Sequence, residues 1–89
     1  MTKTIYRPEY VALLALLKRY RAASGLTQAQ CSEALGKPQS FMSDVEKGTR
    51  RLDVIQLRDL CQKFGVGLSE VIQDLENTIA EMEKQTPAP

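Results

Sequence analysis

The chain has 89 residues, 43% of them apolar and 26% charged, with five Gly and four Pro. That suffices for one small core, excludes the large enzyme scaffolds, and is the composition of a globular domain, not of a disordered or fibrous segment. The formal charge of +1 hides an asymmetry: through Leu52 there are nine Lys/Arg against four Asp/Glu, and after it three against seven, so a basic front precedes an acidic tail. A basic front suggests an anionic partner, and a solvated charged surface explains it as well. His and Trp are absent, and the two cysteines, Cys31 and Cys61, have 29 residues between them and no ligand-type neighbours, so no zinc site and no cofactor is expected.

Residues 11–17 form an unbroken apolar run behind Lys3 and Arg7, in the manner of a signal-peptide core. Pro8 and Glu9 precede it directly, Lys18, Arg19 and Arg21 follow it, and seven apolar residues fall well short of the roughly 20 that a membrane span needs. A cytoplasmic protein without a membrane partner is therefore expected, its cysteines acting as small apolar core residues in a reducing compartment. Pro8 suits a helix start, and Tyr10, Leu13, Leu14 and Leu17 recur at helical spacing, which predicts a first helix over Pro8–Ser24, stopped by Gly25.

Thr27 and Gln30 make a Thr-x-x-Gln capping box that opens a short second helix, with Ala29, Cys31, Ala34 and Leu35 inward and its end at Gly36. After the turn at Gly36, Lys37 and Pro38, a third short helix is predicted over residues 39–47, with Met42 and Val45 three apart and Phe41 beside them. Gly48 and a basic loop of Thr49, Arg50 and Arg51 follow. Asp53 and Gln56 form a second box at the head of a fourth helix, whose buried stripe is Val54, Leu57, Leu60, Cys61 and Phe64 and whose end is Gly65.

A fifth helix starts near Leu68, and Leu68, Ile72, Leu75, Ile79 and Met82 follow one another at spacings of 4, 3, 4 and 3, a heptad seam that Val71 thickens. No stretch alternates with period two. The fold class is all-α, with an N-terminal arm over residues 1–8, one domain over residues 9–84 and a flexible tail over residues 85–89.

Two short helices joined by a tight turn are a generic packing unit. Their surroundings are more specific. Gly25-Leu26-Thr27-Gln28, Leu35-Gly36, Gln39-Ser40-Phe41-Met42-Ser43, Glu46-Lys47-Gly48 and Arg50-Arg51-Leu52-Asp53-Val54 resemble, in order and spacing, the DNA-binding domain of the Cro and phage-repressor helix-turn-helix family, the XRE family, over residues 10–75. The resemblance implies a five-helix repressor-like domain whose second helix crosses the DNA backbone and whose third lies in the major groove.

It further implies base reading by Gln39, Ser40, Ser43 and Asp44, since a Gln amide pairs with an adenine edge and a Ser hydroxyl serves either base type. Phosphate contact falls to Gln28, Lys47, Thr49, Arg50 and Arg51. Arg21 and Glu46 match the positions of a structural salt bridge that fixes the angle of the third helix. Asp44 stands where family members often carry Lys, Arg or Gln. It accepts a hydrogen bond from a cytosine amino group, orients Lys47 or another basic side chain, or marks a turn toward a protein partner, and the orienting role is the reading favoured. Gln30 is accounted for by capping, and without the resemblance Gln39 reads as a solvated residue and Arg50 and Arg51 as a solvated loop. Phe41 either packs against the second helix or touches a thymine methyl, packing being favoured.

The implied function is a sequence-specific transcriptional regulator, a repressor acting as a homodimer on palindromic double-stranded DNA, with Leu68, Ile72, Leu75, Ile79 and Met82 as the dimer interface. The alternative for that seam is to fold back along the first helix, where Val11 and Leu16 are also apolar. Alternatives for the function are an antitoxin or restriction-modification controller that binds DNA with a protein partner, and a protein-interaction module that has lost DNA binding; salt dependence separates the last from the others. No enzyme and no small-molecule substrate is expected, because Ser40 and Ser43 lack an activating base and no Gly-rich phosphate loop occurs.

Overall fold

The computed structural model describes residues 7–85 as five helices, α1 (Pro8–Ser24), α2 (Gln28–Ala34), α3 (Phe41–Lys47), α4 (Val54–Phe64) and α5 (Leu68–Gln85), with no strand among the described residues. The first six residues of the expected arm and residues 86–89 of the expected tail lie outside them.

Local chemistry sets most of these limits. Pro8 sits in the first turn of α1, where its missing N–H costs nothing. Both capping boxes form: Thr27 Oγ1 accepts from the Gln30 N–H at 3.0 Å while Gln30 Oε1 accepts from the Thr27 N–H at 2.9 Å, and Asp53 and Gln56 repeat the exchange at 2.7 and 3.1 Å. Gly36, between α2 and α3, takes φ 68° although a Cβ there would meet nothing within 4 Å, so backbone conformation and not crowding calls for glycine.

The core draws on all five helices: Leu17 of α1, Cys31 of α2, Phe41, Met42 and Val45 of α3, Leu57, Leu60, Cys61 and Phe64 of α4, and Val71 of α5. Leu17, Met42 and Leu60 are fully enclosed, so truncating one to Ala should cost about 2–5 kcal/mol. α1 packs against α3, α4 and α5, and α2 against α3 and α4. The short α2 and α3 thus rest on a platform of longer helices.

Several boundaries and faces differ from expectation. α3 begins at Phe41, because the Pro38 carbonyl accepts the Phe41 N–H at 2.9 Å and holds Gln39 and Ser40 in a turn. α2 ends at Ala34, which is exposed, while its buried residues are Cys31 and Ser32. Val54 is 66% exposed instead of buried; it is the first residue of α4, ahead of Leu57, where the helix first meets the core.

α5 runs along α1, and Tyr20 of α1 donates its hydroxyl proton to the Asp74 carboxylate of α5. Val71 is fully buried and Leu68 packs against the core; Leu75, Ile79 and Met82 are half-buried, and Ile72 is 38% exposed. Within one chain the inner edge of the seam therefore lies against its own domain. Among the described residues no helix is long and apolar enough to cross a membrane.

Candidate nucleic-acid interface

The α2–turn–α3 unit is held at both ends by side chains from outside α3. At its start the Ser40 side chain makes no capping bond. The fully buried Ser32 of α2 does so instead: its hydroxyl accepts from the Met42 N–H at 2.9 Å and donates to the Gln39 carbonyl at 3.2 Å. The Ser32 carbonyl takes the Lys37 N–H at 2.9 Å, which ties the turn to the same residue.

At the far end Arg21 of α1 grips Glu46 of α3 with two bonds, Nε to Oε2 at 2.6 Å and Nη2 to Oε1 at 3.2 Å, while Nη1 donates to the Leu26 carbonyl at 3.0 Å. The two side chains are only 15% and 6% exposed, so the pair is forked, desolvated and hydrogen-bonded beyond itself. The Glu46 contact holds the Arg21 guanidinium charged, above its ordinary range. Gln28 joins the cluster by donating from Nε2 to Glu46 Oε1 at 2.8 Å.

The last turn of α3 closes on the Asp44 carbonyl, which accepts the Thr49 and Arg50 N–H groups at 3.0 and 3.2 Å and the Thr49 hydroxyl at 3.1 Å. Gly48, buried at φ 85°, permits this reversal. Two residues assigned to phosphate contact are thus engaged inside the chain. The single hydroxyl proton of Thr49 is committed to Asp44, and the Gln28 amide spends one of its two protons on Glu46.

Gln39, Ser40 and Lys47 are exposed and Ser43 and Asp44 half-buried, so these five share the accessible edge of the unit. No ion pair joins Asp44 to Lys47 among the described residues. A surface pair gains under about 1 kcal/mol and must immobilise a long lysine side chain to do so. Phe41 is 2% exposed, so it packs in the core and does not reach a thymine methyl.

The basic loop splits in two. The Arg50 guanidinium lies 5.0 Å and the Lys37 ammonium 5.7 Å from the Phe41 ring centre, whereas Arg51 stacks 4.9 Å from the Tyr10 ring of α1. Arg50 and Lys37 therefore flank the α2–α3 turn, and Arg51 faces α1. Sequence reasoning missed Lys37 as a cation of this edge and Ser32 as its clamp. The signal for Lys37 was its place in the inter-helix turn two residues from Gln39; Ser32 gave none beyond a polar residue next to Cys31 on the inward side.

Elsewhere, burial pushes the Cys31 and Cys61 thiols up, and both are free. No group of three or more His, Cys, Asp or Glu residues among the described ones is placed to hold a metal ion.

Residues 12–72, which span α2, the turn, α3 and α4, match the family model described as a helix-turn-helix domain. A sequence relative, an uncharacterised HTH-type transcriptional regulator y4dJ of Sinorhizobium fredii, is 35% identical over 60 residues, 67% of this chain and 78% of that protein. Among solved structures, an XRE-family like protein from Pseudomonas syringae pv. tomato superposes with a TM-score of 0.76 at 43% identity, over 84% of this chain and 92% of that one. Two others share the fold at lower identity: the clp gene regulator ClgR of Corynebacterium glutamicum (TM-score 0.75, 24% identity, 89% of this chain and 84% of that one) and a mutant of the restriction-modification controller protein C.Esp1396I (0.72, 20%, 90% and 98%). A clamped α2–turn–α3 unit with an accessible polar edge, matched in sequence and superposed in space, makes the chain a member of the XRE family of helix-turn-helix DNA-binding transcriptional regulators.

Proposed function

We propose that the chain is a cytoplasmic, homodimeric repressor that occupies a palindromic operator and blocks polymerase, with α3 in the major groove and α2 across the backbone. The observation that carries this reading is the accessible edge of Gln39, Ser40, Ser43 and Asp44, flanked by Lys37, Lys47 and Arg50 on an α3 tied at one end by Ser32 and at the other, through Glu46, by Arg21. A reading edge is useful only if its angle is fixed, and the two ties supply that. The Gln39 amide pairs with an adenine edge, the two Ser hydroxyls serve either base type, and the Asp44 carboxylate accepts from a cytosine amino group. Lys37, Lys47, Arg50 and Arg51 neutralise phosphates, and Gln28 offers its second amide proton to one.

The test is a selection of random duplex DNA on the purified chain, followed by a salt titration of the winning sequence with wild type and Gln39→Ala in parallel. The expected result is an enriched palindrome with half-sites about one helical turn apart, and a specificity that Gln39→Ala relaxes at one position per half-site. Absence of any enriched sequence, even at about 50 mM salt, would refute DNA reading.

A further inference from the structure

Between the start of α1, the loop after α3 and the middle of α5 lies an open cleft of about 600 Å³, lined by Arg7, Glu9, Tyr10, Leu13, Arg51 and Leu75. It lies apart from the reading edge of α3, and its volume is that of a small-molecule site. Leu13 and Leu75 are half-buried and give it an apolar interior, while the guanidinium groups of Arg7 and Arg51 are exposed at its rim. Glu9 is tied to Arg7, Oε1 to Nε at 3.3 Å and Oε2 to Nη2 at 3.2 Å. Two guanidinium groups against one carboxylate leave the lining with a charge of +1. Arg51 lies over the Tyr10 ring, 4.9 Å from its centre; stacking uses the flat face of a guanidinium, whereas its N–H bonds point out of its edge. The hydroxyl of the same ring is buried and has no hydrogen-bond partner among the described residues, an uncompensated burial that an acceptor relieves.

From this arrangement, and resting on the DNA reading above for its consequence, we infer that the cleft is an effector site for an amphipathic monocarboxylate, and that this acid and DNA compete for Arg51. The occupant is a medium-chain acid whose carboxylate takes the Arg51 guanidinium and whose apolar body lies along Leu13 and Leu75. The chemistry of the lining selects this class. One carboxylate matches the lining charge and pairs with a guanidinium in a fork. A cation would meet two guanidinium groups, and a small inorganic anion would leave the apolar interior wet, without the burial that gives affinity. The acid also brings an acceptor to the side chain whose hydroxyl lacks one. Arg51 is among the side chains proposed to neutralise phosphates, and one guanidinium edge cannot serve a phosphate and a bound carboxylate together. By linkage, acid and DNA then weaken each other's binding by the same factor.

Octanoate is the probe. Titrated into the full chain without DNA and followed by methyl and aromatic NMR, it should shift the Leu13, Leu75 and Tyr10 signals to saturation, whereas octylammonium and inorganic phosphate at the same concentrations should not. Arg51→Gln should weaken octanoate at least ~10-fold, the loss of a charge-assisted fork. Arg7→Gln should weaken it ~3-fold by leaving Glu9 uncompensated, and Glu9→Gln should tighten it by a similar factor. Residues with a structural role alone would not give opposite signs. Circular dichroism should show all three variants folded. On a random-sequence duplex, saturating octanoate should weaken wild-type binding and lower its salt slope by about 1, and should leave Arg51→Gln unaffected. No saturable shift, shifts confined to other parts of the domain, octylammonium binding as well as octanoate, or a wild-type salt slope that octanoate leaves intact would each overturn the inference. Octanoate saturating the cleft of a chain that binds no duplex at all would uphold the site and sink the DNA reading alone.

Discussion

Ser32 and Met42 are joined across the helix-turn-helix by a fully buried hydrogen bond, 2.9 Å from the Met42 nitrogen to the Ser32 oxygen, and the same hydroxyl donates onward to the Gln39 carbonyl. One atom of α2 therefore sets both the start of α3 and the backbone of its first candidate base-reading residue. Ser32→Ala leaves the Met42 N–H without a partner in a dry site, which should cost about 1–3 kcal/mol. In a domain of this size each kcal/mol lowers Tm by about 4–8 °C, so thermal unfolding followed by circular dichroism checks it directly. An unchanged Tm would mean that water or a shifted backbone replaces the bond.

The Arg21–Glu46 fork should be costly to break from either side and cheaper to remove whole. Arg21→Ala strands a carboxylate that is 6% exposed, with the Gln28 amide as its remaining side-chain partner, and should destabilise by about 3–5 kcal/mol. The double variant Arg21→Ala/Glu46→Ala should lose less than the two single variants together, with a coupling of about 0.5–3 kcal/mol in urea denaturation. Additive losses would show that the pair acts as two independent surface groups.

What was legible in the sequence was local. Thr27 with Gln30 and Asp53 with Gln56 were read correctly as capping boxes because each exchange closes within three residues. Ser32 was not, because its partner Met42 is ten residues away and meets it only once α2 and α3 have packed. Gln28 followed the same rule: its side chain reads as free at the head of a helix, and tertiary packing turns it onto Glu46, 18 residues on. Val54 fits the apolar stripe of α4 by period alone, yet it falls at the helix's first position, short of the core. The accessible edge was legible in its residues and not in its backbone, since Pro38 holds Gln39 and Ser40 in a turn where helical spacing had extended the helix.

Alkaline pH should loosen α5 from α1 through Tyr20. Its hydrogen bond to Asp74, then burial, then the charges of Asp74 and Glu70 push the phenol up to about 12 from an ordinary value of 10.0, against a smaller opposite pull from Arg19. A pKa raised by folding gives stability that is complete below the unfolded value and lost as pH climbs through the folded one. Stability should therefore fall between about pH 10 and pH 12, and Tyr20→Phe should flatten that part of the profile. The quantity to measure is the difference between wild type and Tyr20→Phe, which isolates the contribution of this phenol. Identical slopes would remove Tyr20 as the cause.

Both thiols should be silent in the folded chain. Cys31 and Cys61 are fully buried, and burial holds each above its ordinary value, so little thiolate forms and no reagent reaches it. At pH 8 a thiol-reactive dye should label neither until denaturant is added, and then both should react together as the domain unfolds. Labelling of one cysteine under native conditions would reveal an opening of α2 or α4 at a free energy below that of global unfolding.

The cations and amides of the reading edge should separate by salt dependence. Lys37, Lys47 and Arg50 carry full charges beside the α2–α3 turn and the end of α3. Replacing any one of them with Ala should weaken binding about equally on every duplex and lower the salt slope by about 1, the signature of one lost phosphate contact. Gln39→Ala removes no charge; it should leave the slope intact and reduce discrimination at one base pair by about 1–3 kcal/mol. Arg50 also stacks on Phe41, so Arg50→Ala should cost a further small amount of stability, about 0.5–1 kcal/mol, that Lys47→Ala does not. If Lys37→Ala kept the full salt slope while Lys47→Ala lost it, the DNA backbone would run past the C-terminal end of α3 and not along the turn, and the docking of the whole unit would have to be turned accordingly.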